Sequence, residues 1–165
     1  MRSASLSPAA ERPAIHTAVR VLILYESRRG FTLMVARAIR DELRGRGLLA
    51  ETAPVREVDR GTVAAADALI VGSWVKGAIL FGVGPADGVE GAIDALPSLE
   101  GKPAAVFCTC DVAPRGTLNT LAGWLRRRGA QVSVGQTFKR KKSLGTVSAF
   151  ADTVLEAFAR AQADA

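Results

Sequence analysis

The side chains with the most chemical potential lie in three short segments of this 165-residue chain. The first is Ser27-Arg28-Arg29-Gly30-Phe31-Thr32, a turn between an apolar run and an amphipathic stretch. Ser27 and Thr32 supply hydroxyls, Gly30 permits tight backbone geometry, and the amides from Arg28 to Thr32 face outward where a helix is expected to begin. A phosphate there gains from the helix dipole and from several amide donors, with no catalytic group needed. The competing reading is a turn that merely caps its helix. The second segment is Cys108-Thr109-Cys110. Strand alternation puts Cys108 in the interior, where a free cysteine behaves as a small hydrophobe, and a bridge between cysteines two apart would be strained. Thiol redox chemistry is therefore disfavoured at Cys110 and more so at Cys108. The third is Lys139-Arg140-Lys141-Lys142. It reads first as a solvated loop, second as a partner-docking site and last as a weak nucleic-acid signal, because few aromatics accompany it.

Several chemistries are set aside by what is missing. His16 is the single histidine, so neither a Ser-His triad nor a histidine metal site can be assembled. Gly82, Gly84 and Gly88 miss the G-x-G-x-x-G spacing, and no segment fits the P-loop pattern. A phosphorylated receiver would need acidic residues clustered at the ends of strands one and three, where only Glu26 is suitably placed. The 22 Lys and Arg against 16 Asp and Glu leave a formal charge of +6, with a pI near 10.0. That balance points to an acidic protein, an anionic cofactor or nucleic acid as partner.

These segments need a scaffold, which the hydrophobic pattern supplies. Residues 19–25 form an apolar, β-branched first strand. Val35, Ala36, Ile39 and Leu43 then recur at helical spacing up to Gly45 and Gly47, with Arg37, Arg40, Asp41 and Arg44 off the stripe. Residues 48–55 form a second strand, which Pro54 assigns to a sheet edge. After a short helical connection, residues 68–72 are an unbroken apolar run suited to a central parallel strand. The glycine-rich stretch 73–88 is longer than an ordinary connection and marks a candidate functional loop. A helix striped by Val89, Ile93 and Leu96, a fourth strand at 104–109, a helix striped by Leu118, Leu121, Ala122 and Leu125, a fifth strand at 131–138 and a closing helix striped by Val147, Phe150, Val154 and Phe158 complete the pattern. Regular alternation of strand and helix implies an α/β domain with a parallel sheet and helices on both faces.

Composition bounds the rest. At 48% hydrophobic residues the chain can fill one core. Residues 1–18, rich in Ser, Ala and Pro, are expected to be a flexible tail ahead of a domain over 19–162. The tail lacks the continuous apolar segment of a secretory signal, and no run reaches the roughly 18 apolar residues of a membrane span. With just two closely spaced cysteines, a cytoplasmic setting is expected.

The motif Tyr25-x-Ser27-x-x-Gly30-x-Thr32 after an apolar strand resembles the flavodoxin phosphate loop. The resemblance extends over roughly residues 19–158 and includes the Gly72-Ser73 turn, the Gly101-Lys102-Pro103 lead into strand four and an uninterrupted strand five. It implies a flavodoxin-like three-layer sandwich whose five-stranded parallel sheet has the order 2-1-3-4-5, with FMN across the strand ends at the switch point. By the same resemblance, Ser27, Arg28, Arg29, Gly30, Phe31 and Thr32 would hold the phosphate. The loop of Ser73, Trp74, Val75, Lys76 and Gly77 and that from Thr109, Cys110 and Asp111 to Gly116 would enclose the isoalloxazine ring, with Trp74 stacking on it. No tyrosine stands in the second ring loop, and Arg28, Arg29 and the overall basic charge set the chain apart from acidic electron-carrying flavodoxins. The resemblance implies electron transfer to an acidic redox protein or a small quinone-like acceptor, as a carrier or as a small FMN-dependent reductase. The alternative is a flavin-free binding module that recognises an acidic partner through its basic surface.

Overall fold

The computed structural model describes residues 18–78, 81–142 and 144–165. The expected tail, residues 1–18, falls almost wholly outside them. Among the described residues six strands and five helices follow one another as β1 (Arg20–Glu26), α1 (Phe31–Gly45), β2 (Leu49–Pro54), α2 (Arg60–Ala65), β3 (Ala68–Ala78), β4 (Phe81–Pro85), α3 (Val89–Asp94), β5 (Pro103–Cys110), α4 (Thr117–Arg127), β6 (Gln131–Lys139) and α5 (Leu144–Ala163). Five of the strands form a parallel sheet in the order β2-β1-β3-β5-β6. This is the flavodoxin order, with β5 and β6 taking the fourth and fifth places.

The period of each segment decides which layer it covers. In β1, Val21 and Ile23 face the core under α1 and α5, while Leu22 and Leu24 face the core under α2, α3 and α4. The stripe Val35, Ala36, Ile39 and Leu43 of α1 is fully buried, because residues three and four apart share one side of the helix. Pro54 ends the edge strand β2, where a missing N–H costs no ladder bond to a further strand.

The glycine-rich stretch after strand three departs from the expected loop. β3 continues past the sheet to Ala78 and returns as the antiparallel strand β4, pairing Val75 with Pro85, Lys76 with Gly84 and Ala78 with Phe81. A bulge lies between Lys76 and Ala78, and Gly77 within it has φ 102, where an added Cβ would lie 2.4 Å from the Gly82 carbonyl oxygen. Glycines lower strand propensity and interrupt side-chain alternation, which is why the segment reads as a loop. β5 also runs to Cys110, so Thr109 and Cys110 belong to the strand and the following loop starts at Asp111.

The parallel part of β3 pairs with β5 as far as Trp74, and near its end stands Gly72. A Cβ there would lie 2.0 Å from Cζ of Phe107, so the absence of a side chain lets that ring cross the strand. Phe107 then stacks edge-on against Phe138, with centroids 5.9 Å apart, and Phe138 against Phe150 at 5.5 Å. Parallel strands all finish at the same edge of the sheet, so the turns after β1, β5 and β6 and the β3–β4 hairpin gather there. Gly72→Ala is expected to cost about 1–3 kcal/mol through overpacking. Gly91→Ala, in α3 with nothing within 4 Å of the new methyl, should stabilise by about 0.5–1 kcal/mol. Urea unfolding of both variants checks the contrast, and a neutral Gly72→Ala would contradict the packing account.

Candidate functional site

The turn between β1 and α1 is shaped by two of its own residues. Gly30 has φ 88 and precedes α1 as its N-cap; a Cβ there would meet nothing within 4 Å, so conformation and not space selects glycine. The Ser27 hydroxyl accepts a hydrogen bond from the Gly30 amide at 3.1 Å and closes the turn. No side chain caps α1. The first-turn amides therefore have no side-chain acceptor.

Beneath the turn, Thr32 is 1% exposed and its hydroxyl lies 2.8 Å from that of Thr109 at the end of β5. One hydrogen serves this bond, so the accepting hydroxyl keeps its own hydrogen for a third partner. Two guanidiniums are held on aromatic faces above it. Arg28 lies over Trp74 at 5.4 Å and Arg140 over Phe31 at 4.7 Å. Arg140 also donates through Nε to Oδ1 of Asp111 at 3.1 Å.

These groups surround a cleft of about 290 Å³. It is lined by Arg28, Arg29, Phe31 and Thr32 from the turn, Trp74, Val75 and Gly77 from β3, Thr109, Cys110 and Asp111 from the β5 end, and Arg140 after β6. A second hollow of about 230 Å³ shares Val75, Gly77, Cys110 and Asp111 with it and adds Val83, Val112, Ala113 and Arg115. The two make one cleft, with a cationic end at α1 and a more apolar end between the hairpin and the loop after β5. Three guanidiniums and one carboxylate line the cationic end.

Ten of the fifteen residues singled out in the sequence line the first hollow, and five do not. Ser27 and Gly30 shape the turn. Ser73 is fully buried: its hydroxyl donates to the Trp74 carbonyl at 2.8 Å and accepts from the Ala86 amide at 2.9 Å, pinning the hairpin to the sheet. Lys76 is paired with Asp87. Gly116 has φ 73 and precedes α4. Val112, Ala113 and Arg115 fall within the predicted ring loop and Val83 within the predicted glycine-rich stretch, whereas Arg140 is not among the predicted site residues. The position of Arg140 directly after an edge-directed strand was the available signal, and the basic run around it obscured that signal.

Thiol chemistry finds no support at this site. Burial pushes the Cys108 thiol up to about 11, partly offset by the Thr137 hydroxyl at 3.4 Å, and burial also raises Cys110. Both cysteines are free and stay protonated at neutral pH. Among the described residues no group of three or more His, Cys, Asp or Glu could hold a metal ion, and no helix is long and apolar enough to cross a membrane.

Residues 22–120 match the family model described as Flavodoxin domain. The chain belongs to the flavodoxin domain family. No curated protein matches it. Among solved structures, two-electron reduced flavodoxin from Megasphaera elsdenii aligns at 21% identity over 80% of this chain and 98% of its own, with a TM-score of 0.67. Oxidised flavodoxin 2 from Bacillus cereus aligns at 22% identity over 84% and 99%, with a TM-score of 0.68. The same fold recurs in 37% of the rubredoxin oxygen:oxidoreductase of Desulfovibrio gigas, covering 87% of this chain at 20% identity and a TM-score of 0.71. At such identities these flavodoxin-fold likenesses concern architecture.

The buried thiol gives a signed prediction. The fold raises Cys108 from 9.0 to about 11, so its contribution is complete below pH 9 and is lost as pH rises toward 11. The loss is on the order of 2 kcal/mol. Cys108→Ala should flatten the fall in unfolding free energy over that window, and an unchanged slope would refute the assignment.

Proposed function

We propose that this flavodoxin-family domain binds FMN and transfers electrons. The observation that carries the reading is the single cleft in which the uncapped start of α1, Arg28, Arg29 and Thr32 meet a less polar hollow between the hairpin and residues 111–116. An anionic group at one end of the ligand and a flat, largely apolar ring at the other match that division. The residues present fit the cofactor. The α1 amides and the spare hydroxyl hydrogen of the Thr32–Thr109 pair would hold the phosphate, while Ser27 and Gly30 keep the amides converged. Trp74 would offer its face to the ring, and Val75, Val83 and Val112 would exclude water from one side.

When bound, FMN supplies reversible one- and two-electron transfer. This chain's residues need supply no general acid or base. Their contribution is orientation, exclusion of water and a positive field, since Arg28, Arg29 and Arg140 favour added negative charge at the cleft. The exposed cationic rim, with Val112 61% exposed at its mouth, supports an acidic redox protein or a small quinone-like acceptor as electron partner. The free thiols accord with a cytoplasmic setting. A flavin-free module for an acidic partner draws support from Arg28, whose guanidinium already covers the Trp74 face.

The visible spectrum, taken before and after FMN addition and gel filtration, separates the readings. Retained flavin absorbance is expected, with Thr32→Ala weakening affinity about 10-fold or more through a lost bond to a charged group. A folded protein that retains no flavin would leave the binding module as the better account. In a redox titration, Arg28→Gln with Arg29→Gln should lower the potential, and high salt should shrink the difference between variant and parent. An identical potential would show that the field of these arginines does not reach the ring.

A further inference from the structure

We propose that Arg140 makes the cleft selective for a phosphorylated ligand, and that Asp111 is the counter-ion it releases on binding. The inference rests on the FMN reading and assigns a positioning role to a residue outside the turn after β1. Arg140 reaches the cationic end of the cleft from just after β6, an element distant in sequence from that turn. Its guanidinium lies 4.7 Å from the ring centroid of Phe31, the first residue of α1 and itself buried. That contact holds the guanidinium on the side chain of the first residue of α1, a helix start with no side-chain cap.

The Asp111 contact is a weak competitor. It engages Nε and leaves the two Nη groups outside that bond, and Arg140 and Asp111 are 54% and 71% exposed. An ion pair so exposed contributes little, whereas a planar fork binds phosphate oxygens bidentately. Charge points the same way. A phosphate monoester is close to a dianion at neutral pH, and the excess of three guanidiniums over one carboxylate at this end balances it. Without Arg140 that balance fails, although every residue of the turn is kept. Exchange of Asp111 for phosphate would also free the loop 111–116 at the other end of the cleft, so that Arg140 links the two ends.

Dissociation constants of FMN and riboflavin for the flavin-free protein, read from flavin fluorescence, test the assignment, because riboflavin lacks only the phosphate. Arg140→Gln is expected to weaken FMN about 10- to 100-fold and to leave riboflavin within about twofold. Arg140→Lys keeps the charge without the fork and should recover part of the loss. Asp111→Asn, which removes the competitor, should tighten FMN about two- to fivefold without tightening riboflavin. Equal weakening of both ligands by Arg140→Gln, or no change in either, overturns the proposal while FMN binding by the parent protein stands. A parent protein that binds no FMN overturns both. Unchanged melting of the ligand-free Arg140→Gln protein confirms that affinity, not folding, is being read.

Discussion

The buried hydroxyl of Ser73 joins two different kinds of structure. Up to Trp74, β3 is a central strand of the parallel sheet; from Val75 it is one arm of an antiparallel hairpin. Ser73 accepts from the amide of Ala86, where the returning arm rejoins the body, and its donor is taken by the neighbouring carbonyl of Trp74. In the interior an unmade bond of this kind leaves a stranded amide, so one small polar residue fixes the angle at which the hairpin leaves the sheet. Trp74, Val75, Gly77 and Val83 take their places in the cleft from that angle.

Phe107 supports the same junction from below. Its ring occupies the space that a side chain at residue 72 would need, and it starts the edge-on series through Phe138 to Phe150 that ties β5, β6 and α5 together. The hairpin and the loop after β5 thus rise from adjacent strands with a shared core beneath them.

How far the sequence could be read follows from which physical signal each element carries. Helix α1 and strand β1 were legible because Val35, Ile39 and Leu43, and Val21 to Leu24, repeat with the period of their own geometry. The hairpin was not, because Gly77, Gly82 and Gly84 remove the alternation that identifies a strand, and its pairing depends on backbone conformations only glycine adopts cheaply. At the site, Thr32 and Gly30 were legible from local turn chemistry. Arg140 was hidden among Lys139, Lys141 and Lys142, since nothing local distinguishes a cation stacked on Phe31 from its solvated neighbours. Contacts between residues far apart in the chain come from the strand order, which is visible only through the family resemblance, whereas the parallel sheet itself follows from the alternation of strand and helix.

The uncapped start of α1 has a consequence for the protein's lifetime. Its first amides have no side-chain acceptor, so in the free protein water must satisfy them. A ligand that satisfies them binds the folded chain and not the unfolded one, and each tenfold excess of ligand over its dissociation constant then adds about 1.4 kcal/mol to stability. Proteolysis that acts through opened chains slows in proportion. If the bare helix end holds FMN as proposed, cofactor supply would govern how long each copy of the protein survives.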